Sequence, residues 1–356
     1  MPLTVAIDLR MVGERPHGIA RYARALWEGL PEDTRLRWLG LVGPAAPAEL
    51  GRPGGRLVRC RAPFLSPLEQ VELPWLLRRE SVDLLHATSF AVPAAWRGPL
   101  VLSLHDVNHL ALPGWTGPGR TTYYRRVVAP AAARATRILT VSSFSAREIE
   151  RWLGVPPDRL RVAPNAVDDR FAPVPAAEIA GVRERLGLPE PYALYLGNGR
   201  PHKNASLVHE LARRLAPRLS FVMAGDVTHR GQRSPAQVLP HVSDDDLPAL
   251  YGGATAVLFP SHYEGFGLPP LEAAACGAPV LVASGSSMDE IWDGASPPLP
   301  PDQPGRWQAA LEEIVGAPGR QRALADACRR RALSFRSWRA AVEAAHAAYR
   351  VALGLG

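Results

Sequence analysis

Three groups of residues in this chain have types and spacings that could do chemistry. The first is Glu264 and Glu272, which bracket a loop containing Gly265 and Gly267. Glycines there let backbone N–H groups approach a ligand with no side chain between. Two carboxylates beside such donors suit a ligand rich in hydroxyls, such as a sugar nucleotide. Glycines in a strand-to-helix loop also serve simply for tight packing, and a pair of glutamates at this spacing recurs by chance. The second group is Gly197-Asn-Gly-Arg-Pro-His-Lys-Asn204, where Lys203 is the only lysine among 41 basic residues. A compact ammonium kept where every other cation is arginine points to a place that a planar guanidinium does not fit. With a helix starting near Asn204, the two glycines, Arg200 and Lys203 make a cradle for a diphosphate, although an isolated Arg-x-x-Lys is also simply a solvated turn. The third is His105-Asp106, at the end of an apolar run. It reads either as a crevice-facing imidazole or as a histidine held in place by its aspartate.

The elements that must position these groups follow from the pattern of apolar runs. Strands are expected at 4–9, 36–42, 57–60, 82–86, 100–104 and 137–141, with helices at 67–79, 119–135 and 143–153, the last capped by Ser142 or Ser143. Alternation of this kind gives a parallel, doubly wound sheet with ligands at its carboxyl edge. His86, ending the strand 82–86, would line that edge. Gly18 opens a helix after the first strand and either faces a phosphate or only allows the turn. A linker at 173–175 leads to strands at 192–196, 219–224, 255–259 and 280–283. Pro260 stops the third of these, and a helix at 271–276 follows the glycine loop and ends at Gly277 and Pro279. Ser243 is expected to cap a further helix, which accounts for Asp244, Asp245 and Asp246 better than a metal does. Helices are also expected at 305–315, 320–333 and 337–349.

With 356 residues and 47% hydrophobic content, two domains fit better than one. The three cysteines, Cys60, Cys276 and Cys328, are far apart and odd in number, which gives neither a disulfide framework nor a metal cluster and fits a reducing cytoplasm. The amino terminus reads as a strand rather than a signal peptide, and no apolar stretch approaches a membrane span. A net charge of +7 allows anionic donors and peripheral contact with anionic lipid at the cytoplasmic membrane face. No basic run is interleaved with aromatics, so nucleic acid is not expected as a partner.

The string from Pro260 to Val280, Pro-Ser-x-Tyr-Glu-Gly-Phe-Gly-Leu-Pro-x-Leu-Glu-Ala-x-Ala-x-Gly-x-Pro-Val, resembles the donor-site signature of the family 4 retaining glycosyltransferases. The stretches Gly18-Ile-Ala-Arg-Tyr22, His105-Asp106, Val141-Ser-Ser-Phe-Ser145, Pro164-Asn-Ala-Val-Asp168, Gly197–Asn204 and Ser243–Tyr251 are similar to further segments of that family. Ala20 and Ala166 stand where the family has glycine, and Asn198 where many members have arginine. The resemblance implies an α/β chain of the GT-B fold, with two Rossmann-like domains whose parallel sheets face each other across a cleft. The first domain, 1–172, would be completed by a carboxyl-terminal helix at 337–356, and 187–335 would bind the nucleotide sugar. It implies Lys203, and Arg200 beside it, on the donor diphosphate. The amides of Phe266, Gly267 and Leu268 would share that diphosphate, Glu264 would hold the sugar hydroxyls and Glu272 the ribose. His105 would stand near the reacting carbon supported by Asp106, with Gly18 near the leaving phosphate. The implied reaction is retaining, metal-independent and free of cofactors, and needs the two domains to close. The donor is a nucleotide diphospho-sugar, GDP-mannose first and a UDP- or dTDP-sugar next, and the acceptor a glycan, a lipid-linked oligosaccharide or a small molecule.

Two alternatives share the fold. An epimerase would release free nucleotide without an acceptor, whereas a non-catalytic partner subunit would have lost the charged residues His105, Lys203, Glu264 and Glu272 that this chain retains. A pyridoxal-dependent phosphorylase would need a Schiff-base lysine, and the only lysine already lies in the phosphate loop.

Overall fold

The structure is a computed structural model and describes residues 1–13, 17–47, 49–115, 117–227 and 234–355. Its contacts divide the chain into two units, Met1–Asn165 with Trp338–Gly356, and Ala166–Ser337. Gly356, the last residue of the expected carboxyl-terminal helix, lies outside the described residues.

In the first unit the strands are β1 (Leu3–Asp8), β2 (Leu36–Val42), β3 (Gly55–Arg59), β4 (Leu84–Ala87), β5 (Leu100–Ser103), β6 (Arg137–Thr140) and β7 (Leu160–Val162). They form one parallel sheet in the order β3-β2-β1-β4-β5-β6-β7. The central strands β4 and β5 are buried along their whole length, as expected where helices cover both faces of a parallel sheet. One face packs on the Glu69–Arg79 and Ser143–Leu153 helices through Leu73, Leu76, Leu77 and Ile149. The other packs on the Gly18–Gly29 helix through Tyr22, Leu26 and Trp27. The Arg339–Ala352 helix returns to that second face. A Cβ built on Gly29 would lie 2.8 Å from Val342 Cγ2, so these two helices approach too closely for a side chain there. The expected helix 119–135 is divided: Pro118–Tyr123 and Ala129–Arg134 flank a wide π-type turn, Tyr124–Val128.

Two buried polar arrangements hold this unit. Arg10 forms a fork onto Asp8, with Nη2 2.8 Å from Oδ2, and its Nη1 donates to Glu69 Oε2 at 2.8 Å. Removing one carboxylate from such a triad would leave a buried charge short of partners, at a cost of roughly 3–5 kcal/mol. The second corrects an expectation. His86 has no exposed surface and does not line the sheet edge. Its Nδ1 lies 2.6 Å from the Tyr349 hydroxyl and its Nε2 2.8 Å from Ser103 Oγ, which in turn bonds the Tyr22 hydroxyl. This chain ties the carboxyl-terminal helix to β4, β5 and the Gly18–Gly29 helix. Burial holds the imidazole neutral, down to about 3.

In the second unit β8 (Tyr192–Leu196), β9 (Ser220–Ala224), β10 (Gln237–Leu239), β11 (Ala256–Phe259), β12 (Val280–Ala283) and β13 (Pro298–Leu299) form a parallel sheet in the order β10-β9-β8-β11-β12-β13. In each sheet the strand order reverses beside the first strand, which is the Rossmann-like arrangement. The Ala205–Leu215 and Pro304–Gly316 helices cover one face through Leu207, Val208, Leu211, Trp307 and Leu311. The helix expected at 271–276 begins earlier, as Leu268–Ala275, because Pro269 and Pro270 occupy its first turn, where a missing N–H costs nothing. Ser243 does not cap the next helix. Its Oγ accepts from Asp245 N in a preceding turn, and the helix itself, Leu247–Gly252, starts after Asp246. Ser142, of the two serines considered, caps Ser143–Leu153 by accepting from Ser145 N.

Candidate functional site

The candidate residues fall into two groups, one in each unit. In the second unit they stand on the loops that leave the carboxyl ends of β8 and β11. After β8 the backbone runs through Gly197 so close to the loop after β9 that a Cβ on Gly225 would lie 2.2 Å from the Gly197 carbonyl oxygen. Asn198 Oδ1 accepts from Arg200 N at 3.2 Å, so this side chain shapes the turn that presents Arg200, which is exposed. A short helical turn, Pro201–Lys203, then brings Lys203 inward. Asn204 ends that turn in the left-handed region, and its Nδ2 donates to the carbonyls of Pro260 and Pro301 at 3.2 and 3.0 Å. The loops after β8, β11 and β13 are thus knotted together at one residue. His262 N, donating to the His202 carbonyl at 2.8 Å, adds a second tie.

Those ties bring Lys203 and Glu264 together. The ammonium Nζ lies 2.6 Å from Glu264 Oε1, with the two side chains 26% and 15% exposed. Glu264 is followed by the glycine loop. Gly267 has φ +85, and a Cβ there would stand 2.0 Å from Met288 Cε, so conformation and space both require glycine. Gly267 is the N-cap of the Leu268–Ala275 helix, and the two prolines after Leu268 carry no N–H. Among the described residues no acceptor is recorded for the Phe266, Gly267 or Leu268 amide. The open end of this helix therefore presents N–H groups, and a partial positive charge, next to the Lys203–Glu264 pair. Glu272 lies one turn inside the helix and is 3% exposed. It is close enough to Cys276 to help burial push that thiol up to about 12.

In the first unit the group lies past the ends of β1 and β5. His17 caps the Gly18–Gly29 helix, its Nδ1 accepting from Ala20 N at 3.3 Å, so Gly18 is the first helical residue. His105 stands edge-on to Tyr22, with ring centroids 4.8 Å apart. Its Nε2 is 3.1 Å from the Thr88 carbonyl, and a carbonyl only accepts, so Nε2 carries the proton and Nδ1 is left as the acceptor. Burial, opposed by that hydrogen bond and aided by His17, holds its pKa down to about 4. Asp106 follows His105 in the loop. Its Oδ1 accepts from Asn108 N at 3.1 Å and shapes the following turn.

Sequence reasoning placed a helix start near Asn204 but not its tie to Pro260 and Pro301, and it passed over Arg10. The left-handed cap at Asn204 has the signal of an asparagine before a helix. Arg10 has no distinguishing signal, because its partner Glu69 is far away along the chain and arginine is the common cation here.

Two family models match the chain: Glycosyltransferase Family 4 over residues 16–171 and Glycosyl transferases group 1 over residues 182–299. Over 234 residues the chain is 32% identical to the O-antigen chain mannosyltransferase B of Escherichia coli, covering 61% of each. It is 33% identical over 183 residues to the serotype-specific mannosyltransferase WbdA of Escherichia coli, covering 46% of this chain and 22% of that one. It is 32% identical over 287 residues to the D-inositol 3-phosphate glycosyltransferase of Mycobacterium tuberculosis, covering 73% and 58%. The chain thus spans less than two thirds of the length of each of these relatives. Among solved structures, sucrose-phosphate synthase from Thermosynechococcus elongatus superposes with a TM-score of 0.78 at 18% identity, covering 99% of this chain and 100% of that one. Anabaena HepE in complex with UDP and glucose gives 0.75 at 18% identity, covering 98% and 99%. At these identities the likeness speaks for the fold alone.

Proposed function

The chain belongs to family 4 of the glycosyltransferases, with the GT-B fold, and from that premise we propose that it moves a hexose from a nucleotide diphospho-sugar to an acceptor hydroxyl with retention of configuration. The observation that carries this is the Lys203–Glu264 pair at 2.6 Å beside the open amides of Gly267 and Leu268. It sets a cation and N–H donors for a diphosphate next to a carboxylate for sugar hydroxyls.

In the proposed reaction the bond from the anomeric carbon to the diphosphate oxygen lengthens, and the sugar becomes oxocarbenium-like. Negative charge grows on the leaving diphosphate, where Lys203, Arg200 and the amides of Phe266, Gly267 and Leu268 stabilise it. Glu264 orients sugar hydroxyls and Glu272 takes the ribose. The acceptor oxygen bonds to the anomeric carbon on the face the diphosphate leaves, and its proton passes to the departing phosphate. A retaining hydrolase would instead use a carboxylate nucleophile; Glu264, held by Lys203, is a ligand in this scheme. His105, neutral with Nδ1 as acceptor, takes a hydrogen bond from a hydroxyl of the transferred sugar. Charge neutralisation is assigned to side chains and amides, so the scheme uses no metal and no cofactor.

Mannose from GDP-mannose is the leading donor, supported by the names of the two Escherichia coli relatives. The acceptor is a glycan, a lipid-linked oligosaccharide or a small molecule. The test is transfer by Lys203→Ala and Glu264→Ala, with folding checked by circular dichroism. Each should lose about 100-fold or more, the scale on which charge-stabilising donors act. Full activity in either variant would sink the proposal, and turnover of donor without an acceptor would favour the epimerase.

A further inference from the structure

Tyr22 stands where it decides how the His105 imidazole is turned. It is 1% exposed, on the face of the Gly18–Gly29 helix that enters the core with Leu26 and Trp27. Its hydroxyl lies 2.8 Å from Ser103 Oγ, which is itself 2.8 Å from His86 Nε2. Trp338, just before the final helix, packs on the same ring with centroids 6.3 Å apart. Fixed by its hydroxyl and by packing, the phenol cannot swing aside. It meets the His105 imidazole with centroids 4.8 Å apart and the ring planes at 89°, the edge-to-face arrangement that aromatic pairs favour.

The other contacts of His105 leave one freedom open. Ser145 Oγ donates to the His105 carbonyl at 3.0 Å and holds the backbone. The bond from Nε2–H to the Thr88 carbonyl, at 3.1 Å, selects which ring nitrogen keeps the proton. It does not fix the plane of the ring, because a carbonyl oxygen accepts over a broad range of directions. The perpendicular phenol supplies that restraint: an imidazole rotated out of its plane would press into a ring that close packing holds still. Together the two contacts leave one orientation, with Nδ1 as the outward acceptor.

We propose that Tyr22 is a positioning residue for sugar transfer: its ring, anchored through Ser103, sets the plane of the His105 imidazole so that Nδ1 faces a hydroxyl of the transferred sugar. Tyr22 is too deeply buried to reach a substrate and acts only through His105. The inference rests on the sugar-transfer reading for the role of His105.

The test joins transfer kinetics to nitrogen NMR of the histidine rings, with the His105 signal identified by its loss in His105→Ala. At neutral pH the unsubstituted chain should show His105 as a single tautomer protonated on Nε2. Tyr22→Leu should mix the two tautomers and lower kcat about tenfold to 100-fold, the scale of a small misplacement at a reacting centre, with KM for the donor unchanged. Tyr22→Phe keeps the ring and should restore the single tautomer and most of the rate. In a His105→Ala background Tyr22→Leu should cost nothing further, because the two residues act as one unit. Melting curves verify folding. The positioning role is overturned by mixed tautomers in the unsubstituted chain, a result that holds whether or not Tyr22→Leu folds. It is equally overturned by a single tautomer in Tyr22→Leu, by no rescue in Tyr22→Phe, or by losses that add in the double variant, all of which leave the sugar-transfer reading standing. Full transfer by His105→Ala, or no transfer by the unsubstituted chain, would overturn that reading of the site and this proposal with it.

Discussion

Lys203 and Glu264 neutralise each other at 2.6 Å, so an arriving diphosphate must compete with a carboxylate for the ammonium. Glu264→Gln removes that competitor. Calorimetry should show a nucleoside diphosphate binding several-fold more tightly, limited by solvent screening of a partly exposed pair to about 1 kcal/mol, while transfer falls. Unchanged or weaker binding would contradict the pairing. Gly267→Ala tests the loop: a Cβ 2.0 Å from Met288 Cε at φ +85 should cost about 1–3 kcal/mol, read as a lower melting temperature. Lys203 was legible in the sequence because it is the only lysine. Glu264 was singled out as well, but its pairing with Lys203 was not, since the two lie 61 positions apart and only the ties through Asn204 and His262 bring the loops together. Asp106, the neighbour of His105 in sequence, accepts from Asn108 N and shapes the next turn, a contact that the sequence did not signal.

At the scale of elements, the carboxyl-terminal helix depends on the Tyr349–His86 hydrogen bond. Tyr349→Phe leaves a buried ring nitrogen without its partner and should cost about 1–3 kcal/mol in denaturant unfolding. Acid acts on the same contact. An unfolded histidine titrates near 6.5, whereas burial holds His86 down to about 3 and His105 to about 4. Between those values the unfolded chain binds more protons, so this contribution is full above 6.5 and is lost as pH falls toward 3. Unfolding midpoints of the whole chain should fall between pH 6.5 and 4, and His86→Gln, if it folds, should flatten that slope. The buried strands β8 and β12 were legible residue for residue, because parallel strands covered on both faces read as unbroken apolar runs. The short edge strands β7, β10 and β13 were not, because two or three residues are too few to show a period. The start of the Leu268–Ala275 helix was hidden by prolines that normally signal a break.

For the whole molecule, the alternation of strands and helices in the first half pointed to one parallel sheet and the family resemblance implied a second, and the strand orders and solved-structure likenesses agree with both. The contact division falls at Asn165, before the Pro-rich 173–175 segment that had marked a linker. Pro173 lies 3.9 Å from the position of a Cβ on Gly277, so that segment is packed within the second unit. Sequence pattern carries sheet and helix because each element has its own period, whereas a unit's border is set by packing between distant stretches. The central claim is that the Lys203 and Gly267 loops hold the diphosphate of a sugar nucleotide. The direct measurement is thermal stability of the chain and of Lys203→Ala with GDP, UDP and dTDP, since a ligand bound to the folded state raises stability by mass action. The account predicts that at least one of them raises the melting temperature of the unsubstituted chain and that Lys203→Ala abolishes the rise. No rise with any nucleotide, or an equal rise in both proteins, would contradict it.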